Sequence, residues 1–404
     1  MNSSISFDNT QNAFSLKDDK ALRNSLWLFR FLHHPYLVKV GSRLTVLALK
    51  LKLPVKGLIR NTVFSQFCAG ETLEESKPVV DNLARRHIGS ILDYSVEGKG
   101  EKEDFENTKD EIIRIIGLAA KNVAIPYTCL KMTGIAPLYL LQKMTLKKSF
   151  NRNDLAAYNE TFLRLNAICQ EAERMNVPIY IDAEESWIQG AIDSMTEEMM
   201  WNHNKNSAIV NTTLQMYRHD RIAYLRSLID HAREKKCFVG IKLVRGAYLE
   251  KENARAIEKK YPSPIQQNKT ATDHDFNAAM DYCLLNIDVV TLCAGTHNEE
   301  STMHLIEQMK EMKLSNDHPH IFCSQLYGMS DHISFNLADA GYNVTKYLPY
   351  GPMNAVLPYL IRRAEENTAI SGQMGRELKL LHEEKKRRQE SKLLPSPKIT
   401  TVQN

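Results

Sequence analysis

No cysteine in this 404-residue chain has a partner at CxxC spacing, and the total of seven is odd. That excludes a disulfide framework or a zinc ribbon and points to reduced thiols in a cytosol-like compartment. Most of them read as small core hydrophobes, such as Cys129 in IPYTCLKM and Cys293 in VVTLCAG. A strong excess of one charge is also missing. The 52 Lys and Arg against 48 Asp and Glu leave a formal +4, which gives no case for nucleic-acid binding. No uncharged apolar run reaches ~18 residues, so no membrane-spanning helix is expected. The opening MNSSISFDNTQNAFSLKDDK has no apolar stretch and carries several acids, which argues against a secretory signal and a mitochondrial transit peptide. GxGxxG, P-loop, GxSxG and HExxH motifs are absent, as are paired cysteines and carboxylate–histidine clusters, so no metal is expected.

What remains is a globular composition, 43% hydrophobic and 25% charged. Residues 1–85 read as a helical N-terminal arm. Within the arm, LVKVGSRLTVLALKLKLPVKGLIR (37–60) mixes apolar residues with lysine and arginine and no acid, a pattern suited to a lipid surface or to a helix packed on the domain. From residue 86 a rhythm begins. β-favouring runs over 87–97, 123–135, 177–186, 208–217, 237–248, 288–298, 320–329 and 343–351 alternate with amphipathic stretches such as NDLAAYNETFLRLNAICQEAERMN. Buried strands alternating with helices imply a parallel sheet, and eight units in roughly 280 residues predict an α/β fold, a distorted (β/α)₈ barrel, over 86–375. The remainder, 376–404, is a charge run ending in Pro and Ser and is expected to be a flexible tail.

Barrel chemistry sits at the carboxyl ends of the strands. Those ends carry Asp93 and Glu97, Lys131, Asp182 with Glu184 and Glu185, Gln215, Lys242 with Arg245, Thr296-His297-Asn298, Gln325, and Lys346 with Tyr347. Any one of these could be a helix cap or a rim pair; polar groups at all eight ends furnish a mouth. Cations Lys131, Lys242, Arg245, Arg362 and Arg363 could converge on an anionic group, balanced by Asp182, Glu97 and Glu366. Gly246 follows a strand, where the missing side chain would let a ligand approach the backbone. In PYLIRRAEEN, helical spacing puts Tyr359, Arg362, Arg363 and Glu366 on one side. The HPH at 318–320 precedes a strand, at the end of the barrel away from the mouth.

IYIDAEES, GIKLVRGAYLEKE, GTHNEES, CSQLYGM and above all KYLPYGPMNAVLPYLIRRAEEN resemble the proline dehydrogenase family, in its single-function branch, over about residues 88–370. The resemblance implies FAD bound without a Rossmann domain, oxidation of L-proline to Δ1-pyrroline-5-carboxylate, and electron transfer to membrane quinone. By the same resemblance Arg362 and Arg363 hold the proline carboxylate with Lys131 as a third cation, because planar guanidinium forks suit a carboxylate. Tyr248, Tyr347, Tyr359 and Leu243 would enclose the substrate ring, and Asp182 and Ala183 lie beside flavin and substrate. Lys242 would sit near the flavin N5 edge; Arg245, Gly246, Ala247, Gln215, Thr296, His297, Asn298 and Gln325 would contact FAD. Glu366 belongs to the RRxxEN motif and, with Glu97, is read as a counter-charge that aims the arginines.

Two positions depart from the bifunctional branch: Lys242 stands for an arginine and Leu249 for a tryptophan. Asp182 is the candidate to influence proton balance, and Tyr347 favours proline over hydroxyproline. A hydroxyproline dehydrogenase, a Schiff-base lyase using Lys131 or Lys242, and a membrane-surface scaffold are the competing readings. The expected setting is a bacterial cytoplasm with peripheral inner-membrane contact, the mitochondrial matrix being the alternative, and a separate pyrroline-5-carboxylate dehydrogenase downstream.

Overall fold

Each of the eight β-favouring runs contains one strand of a closed, all-parallel barrel. The strands are β1 (Ile88–Tyr94), β2 (Tyr127–Leu130), β3 (Ile179–Ile181), β4 (Val210–Gln215), β5 (Val239–Val244), β6 (Val290–Gly295), β7 (Ile321–Leu326) and β8 (Val344–Tyr350). They pair in sequence order, and β8 closes on β1 in a register running from Ile88↔Val344 to Tyr94↔Tyr350. The computed structural model describes residues 5–34, 36–38, 40–41, 56–95, 100–369 and 371–393, without the side chains of 56, 362, 364–369 and 371–374. Most of the lipid-surface candidate, Glu97, and the side chains of Arg362 and Glu366 therefore lie outside the described residues.

Helices α1 (Asp19–Leu32) and α2 (Leu73–Ala84) precede the barrel. Within it come α3 (Lys102–Ala119), α4 (Leu138–Thr145), α5 (Arg152–Met175), α6 (Ser186–His203), α7 (Arg221–Lys235), α8 (Leu249–Lys259), α9 (Lys269–Leu285), α10 (Glu299–Glu311) and α11 (Asp331–Asp339). After β8 follow α12 (Met353–Ala369) and α13 (Ser371–Leu393). The longest, α5, shows how local sequence sets a boundary. Asn151 and Asp154 cap its start reciprocally, and Asn176, at φ 52°, turns the chain out of its end.

Successive strand residues face opposite sides of the sheet, and that alternation divides the core in two. Leu92, Leu130, Ile181, Leu243 and Leu348 face outward and pack under the helices. Ile91, Tyr127, Cys129, Tyr180, Cys293 and Tyr347 face inward and fill the barrel. Tyr127 stacks on Tyr180 at 4.7 Å and meets Phe322 edge-on at 4.9 Å, so the floor beneath the mouth is rigid aromatic packing rather than a channel. All seven cysteines are buried and free, as their apolar surroundings suggest.

The charge run after residue 376 is not a loose tail as far as Leu393. It is α13, whose Leu380 and Leu381 are buried in the same cluster as Leu22, Phe29 and Leu32 of α1. Glu384, fully buried, accepts from Thr10 Oγ1 at 3.0 Å, Arg387 Nε at 2.8 Å and Arg388 Nε at 2.6 Å. Two leucines and a neutralised acid dock the helix, a signal that average charge conceals. At the other end α2 shares the barrel's own core through Leu73, Val80 and Leu83. No helix among the described residues is long and apolar enough to cross a membrane.

Candidate active site

Inward positions one step above the aromatic floor carry the charged groups. Ile91 leads to Asp93, Cys129 to Lys131 and Tyr180 to Asp182, each two residues further along its strand or just past its end. Lys242 of β5 and Tyr347 of β8 face the same point. Lys242 Nζ lies 2.6 Å from Asp182 Oδ1, and Lys131 Nζ lies 3.0 Å from Asp182 Oδ2. Lys131 Nζ also reaches both oxygens of Asp93 at 3.1 Å and the hydroxyl of Tyr347 at 3.1 Å. The Tyr347 hydroxyl in turn donates to Asp182 Oδ2. Lys242 sits between two ring faces, 4.9 Å from the centroid of Tyr180 and 5.0 Å from that of Tyr347, so its ammonium is a fixed point charge.

Burial alone would raise the carboxyl of Asp182, but Lys242 and Lys131 outweigh it and hold Asp182 well below the usual carboxylate range. Burial likewise opposes the charge on Lys131, yet Asp93 and Asp182 keep that ammonium protonated far above its ordinary range. Tyr347 is pushed the other way, well up, by burial and then by Asp182, and so remains a neutral donor. Formally the cluster sets two cations against two carboxylates. A further anion would need extra positive charge from elsewhere on the rim.

Helix α12 places a guanidinium on that rim. Arg363 lines the same cleft, its guanidinium carbon 5.2 Å from the centre of the Tyr359 ring. The cleft holds about 1130 Å³ of atom-free space including its open mouth. Besides the cluster it is walled by Ala183, Tyr248, Ala247, Gly246 and Arg245 on one side and by Thr296, His297, Gln325 and Tyr359 on the other. Gly246 adopts φ +133°, and a Cβ there would come 2.5 Å from the Tyr217 ring. Glycine is therefore required by its own backbone and by Tyr217, as well as by any ligand above it.

The rim of the cleft is firmly built. Arg245 bonds Asp273 Oδ1 at 2.6 Å, Thr296 Oγ1 at 2.6 Å and Ser301 Oγ at 2.9 Å. Gln325 donates to the Thr296 carbonyl at 3.0 Å and accepts from Ser334 Oγ at 2.8 Å. Burial, with Lys346 second, lowers the imidazole of His297 well below its ordinary range, so its ring is neutral. By contrast Thr213 Oγ1 and Gln215 Oε1, buried on the cleft wall, have no hydrogen-bond partner among the described residues. Two orphaned polar atoms beside a fixed cation and an open backbone fit the edge of a large polar ligand such as the flavin of the expectation.

Three expectations need correction. Leu243 does not line the cleft: its neighbour Lys242 points in, so Leu243 points out into the core beneath the helices. Asn298 is the N-cap of α10, its side chain accepting from Ser301 N at 2.8 Å, and is not among the lining residues. Lys346, expected at a strand end beside Tyr347, lies inside β8, fully buried on the outer side and paired with Asp331 at 2.9 Å. Conversely, Leu326, Thr213 and Ser324 line the cleft and were missed. A scan for polar strand ends cannot find a leucine. The inward series Phe322, Ser324, Leu326 would have, because it takes the face rather than the polarity as its criterion.

Glu184, next to this cluster, is buried and accepts from Thr133 N at 3.0 Å and from the Thr133 hydroxyl. Burial, against those two bonds, raises its carboxyl from 4.5 to about 7. A raised carboxyl means that the folded state holds a proton the unfolded chain releases. Its stabilising share is complete below the unfolded value and is lost as pH climbs from about 4.5 to about 7. Glu184→Gln is expected to abolish that loss, on the order of 2–3 kcal/mol, in urea unfolding compared at about pH 5 and about pH 8. Equal pH dependence in both proteins would contradict it.

The family model described as proline dehydrogenase matches residues 77–376. The chain is 33% identical over 353 residues to the carbapenem antibiotics biosynthesis protein CarD of Pectobacterium carotovorum subsp. carotovorum, covering 87% of this chain and 91% of that one. It is 32% identical to mitochondrial proline dehydrogenase 1 of Dictyostelium discoideum, covering 84% and 67%. It is 30% identical to hydroxyproline dehydrogenase of Xenopus laevis, covering 93% and 88%. The crystal structure of proline utilization A from Bdellovibrio bacteriovorus superposes with a TM-score of 0.70 at 20% identity. That match covers 91% of this chain but 39% of the longer one, and carries the likeness of fold alone.

Proposed function

We propose, for a chain that belongs to the proline dehydrogenase family, the FAD-dependent oxidation of L-proline to Δ1-pyrroline-5-carboxylate. The observation that carries it is the convergence of Lys131, Asp182, Tyr347, Tyr359 and Arg363 in one cleft at the barrel mouth. Arg363, with Arg362 beside it on α12, would meet the proline carboxylate with a planar guanidinium fork, at the mouth of the cleft whose base holds Lys131. Tyr248, Tyr347 and Tyr359 provide apolar faces for a five-membered ring, and Leu326 replaces Leu243 among them.

Gln215, Lys242, Arg245, Gly246, Ala247, Thr296, His297 and Gln325 would hold FAD, with Ala183 beside it and Glu366 and Asn298 supporting at most from α12 and α10. FAD supplies the acceptor for the hydride leaving proline C5, and the amine proton is lost in the same oxidation. The protein's share is to orient the zwitterion, exclude water and hold fixed positive charge beside the acceptor, a role Lys242 would fill from between two tyrosine rings.

Proline rather than hydroxyproline is the substrate in this reading. The Tyr347 hydroxyl is tied to both Asp182 and Lys131, and a substrate bearing its own hydroxyl would have to compete with it for room. Membrane quinone is the proposed final acceptor. Exposed Trp27, Tyr36, Leu37 and Leu58 on the arm support peripheral contact with a membrane, on the cytoplasmic side of a bacterium or the matrix side of a mitochondrion. A separate dehydrogenase would consume the product. The deciding experiment is anaerobic: purified protein should be yellow, and L-proline should bleach it faster than hydroxyproline does. A colourless protein, or colour indifferent to both, would overturn the reading.

A further inference from the structure

We propose that Glu377 of the C-terminal helix α13 is a positioning residue for the cleft, acting through Ser330 to fix the ring of His297. Glu377 lies just beyond the end of the family match at residue 376 and does not line the cleft. Its carboxyl is buried and accepts the backbone N–H of Ser330 at 3.2 Å. Ser330 is a non-glycine residue at φ 50°, a left-handed backbone that is unfavourable for a residue with a Cβ unless something holds it. The Glu377 carboxyl is positioned to hold it. The Ser330 hydroxyl then meets Nδ1 of His297 at 2.9 Å, and His297 is a wall of the cleft.

The surroundings make this a clamp rather than a chance contact. On one side of Glu377, Arg376 bonds Glu299 at 2.8 Å, and Glu299 bonds His332 at 3.0 Å. Within the turn itself, Lys346 bonds the Met329 carbonyl at 2.5 Å and Asp331 at 2.9 Å, with Lys17 of the N-terminal arm 3.6 Å from the same carboxylate. The turn 329–332 is thus gripped from β8, from the arm and from α13. The α13 grip passes through the Ser330 hydroxyl to His297, whose ring faces the cleft.

The inference rests on the reading of His297 as a cofactor contact for its consequence, but not for its geometry, so two readouts separate them. In full-length protein labelled with ¹⁵N-histidine, the His297 ring signals, identified by their loss in His297→Asn, report the ring directly. Glu377→Ala and Ser330→Ala should shift those signals in the same sense, whereas Glu377→Gln, whose amide oxygen still accepts the Ser330 N–H, should leave them as in wild type. FAD affinity by fluorescence titration should fall about three- to tenfold in the first two variants and return in Glu377→Gln, the range expected for one lost hydrogen bond. If FAD does not bind the wild-type protein, the cofactor reading fails while the ring signals still decide the positioning. Ser330→Ala removes one oxygen from a turn otherwise intact, so it remains informative if Glu377→Ala does not fold. Unshifted His297 signals in Ser330→Ala, or loss in Glu377→Gln equal to that in Glu377→Ala, overturn the proposal.

Discussion

Lys131→Met is expected to destabilise the folded protein by about 3–5 kcal/mol, the cost of removing one partner from a buried ion pair. The reason lies with Asp93 more than with Asp182. Asp182 keeps Lys242 at 2.6 Å after the change. Asp93 is 1% exposed, and among the described residues its side chain meets, beyond Lys131, only the Ser95 hydroxyl and, at 3.9 Å, the Cys129 thiol, both neutral. Losing Lys131 strands a carboxylate that water cannot reach, a far larger effect than losing an exposed pair, which is worth about 0–1 kcal/mol. The companion change Asp93→Asn should therefore recover stability in the Lys131→Met background and lose it in the wild-type background. Urea midpoints of the four proteins measure this directly. Simple additivity of the two single losses would show that the pair is not what holds this floor of the mouth.

The same cluster shows what the sequence carries and what it does not. Eight runs with helices between them are legible as a parallel barrel because strand and helix leave different hydrophobic periods, and the closed β1–β8 order agrees. Facing is legible too, wherever the alternation is followed strictly: Lys242 in and Leu243 out, Tyr347 in and Lys346 out. Polarity at a strand end is a weaker guide than facing, and Asn298, used as a helix cap, is the example. Which charges pair is not legible at all. Lys131 reads as a cation available to a ligand, yet it already has four oxygens within 3.1 Å of its nitrogen. Pairing depends on distances across strands 38 to 216 residues apart in the chain, and no local pattern records them. The docking of α13 was hidden for a related reason: Leu380 and Leu381 are two apolar residues in a run otherwise dominated by charge.

Asp182→Asn should lower turnover on proline by about 100-fold, the scale on which small misplacements of catalytic groups act, while leaving the affinity for the proposed flavin unchanged. The carboxylate is the hub of three contacts, accepting from Lys242 on one oxygen and from Lys131 and Tyr347 on the other. An amide has one oxygen to offer. Whichever way the substituted side chain turned, its NH₂ would face an ammonium, and that lysine would have to move. A role as general base predicts something different. A base works best with a pKa near the working pH, and Lys242 and Lys131 hold Asp182 well below the usual range despite its burial. The depressed carboxyl stays ionised across the neutral range, so it contributes charge and position there without exchanging protons. For stability the sign is the reverse of that at Glu184: the share from Asp182 is present above the unfolded value of 3.8 and fades only as pH falls below it. The kcat/KM profile of the variant should consequently run parallel to that of wild type from about pH 6 to about pH 9, displaced downward by a constant factor. An acid limb present in wild type and missing in Asp182→Asn would restore Asp182 as the proton acceptor and remove the positioning account.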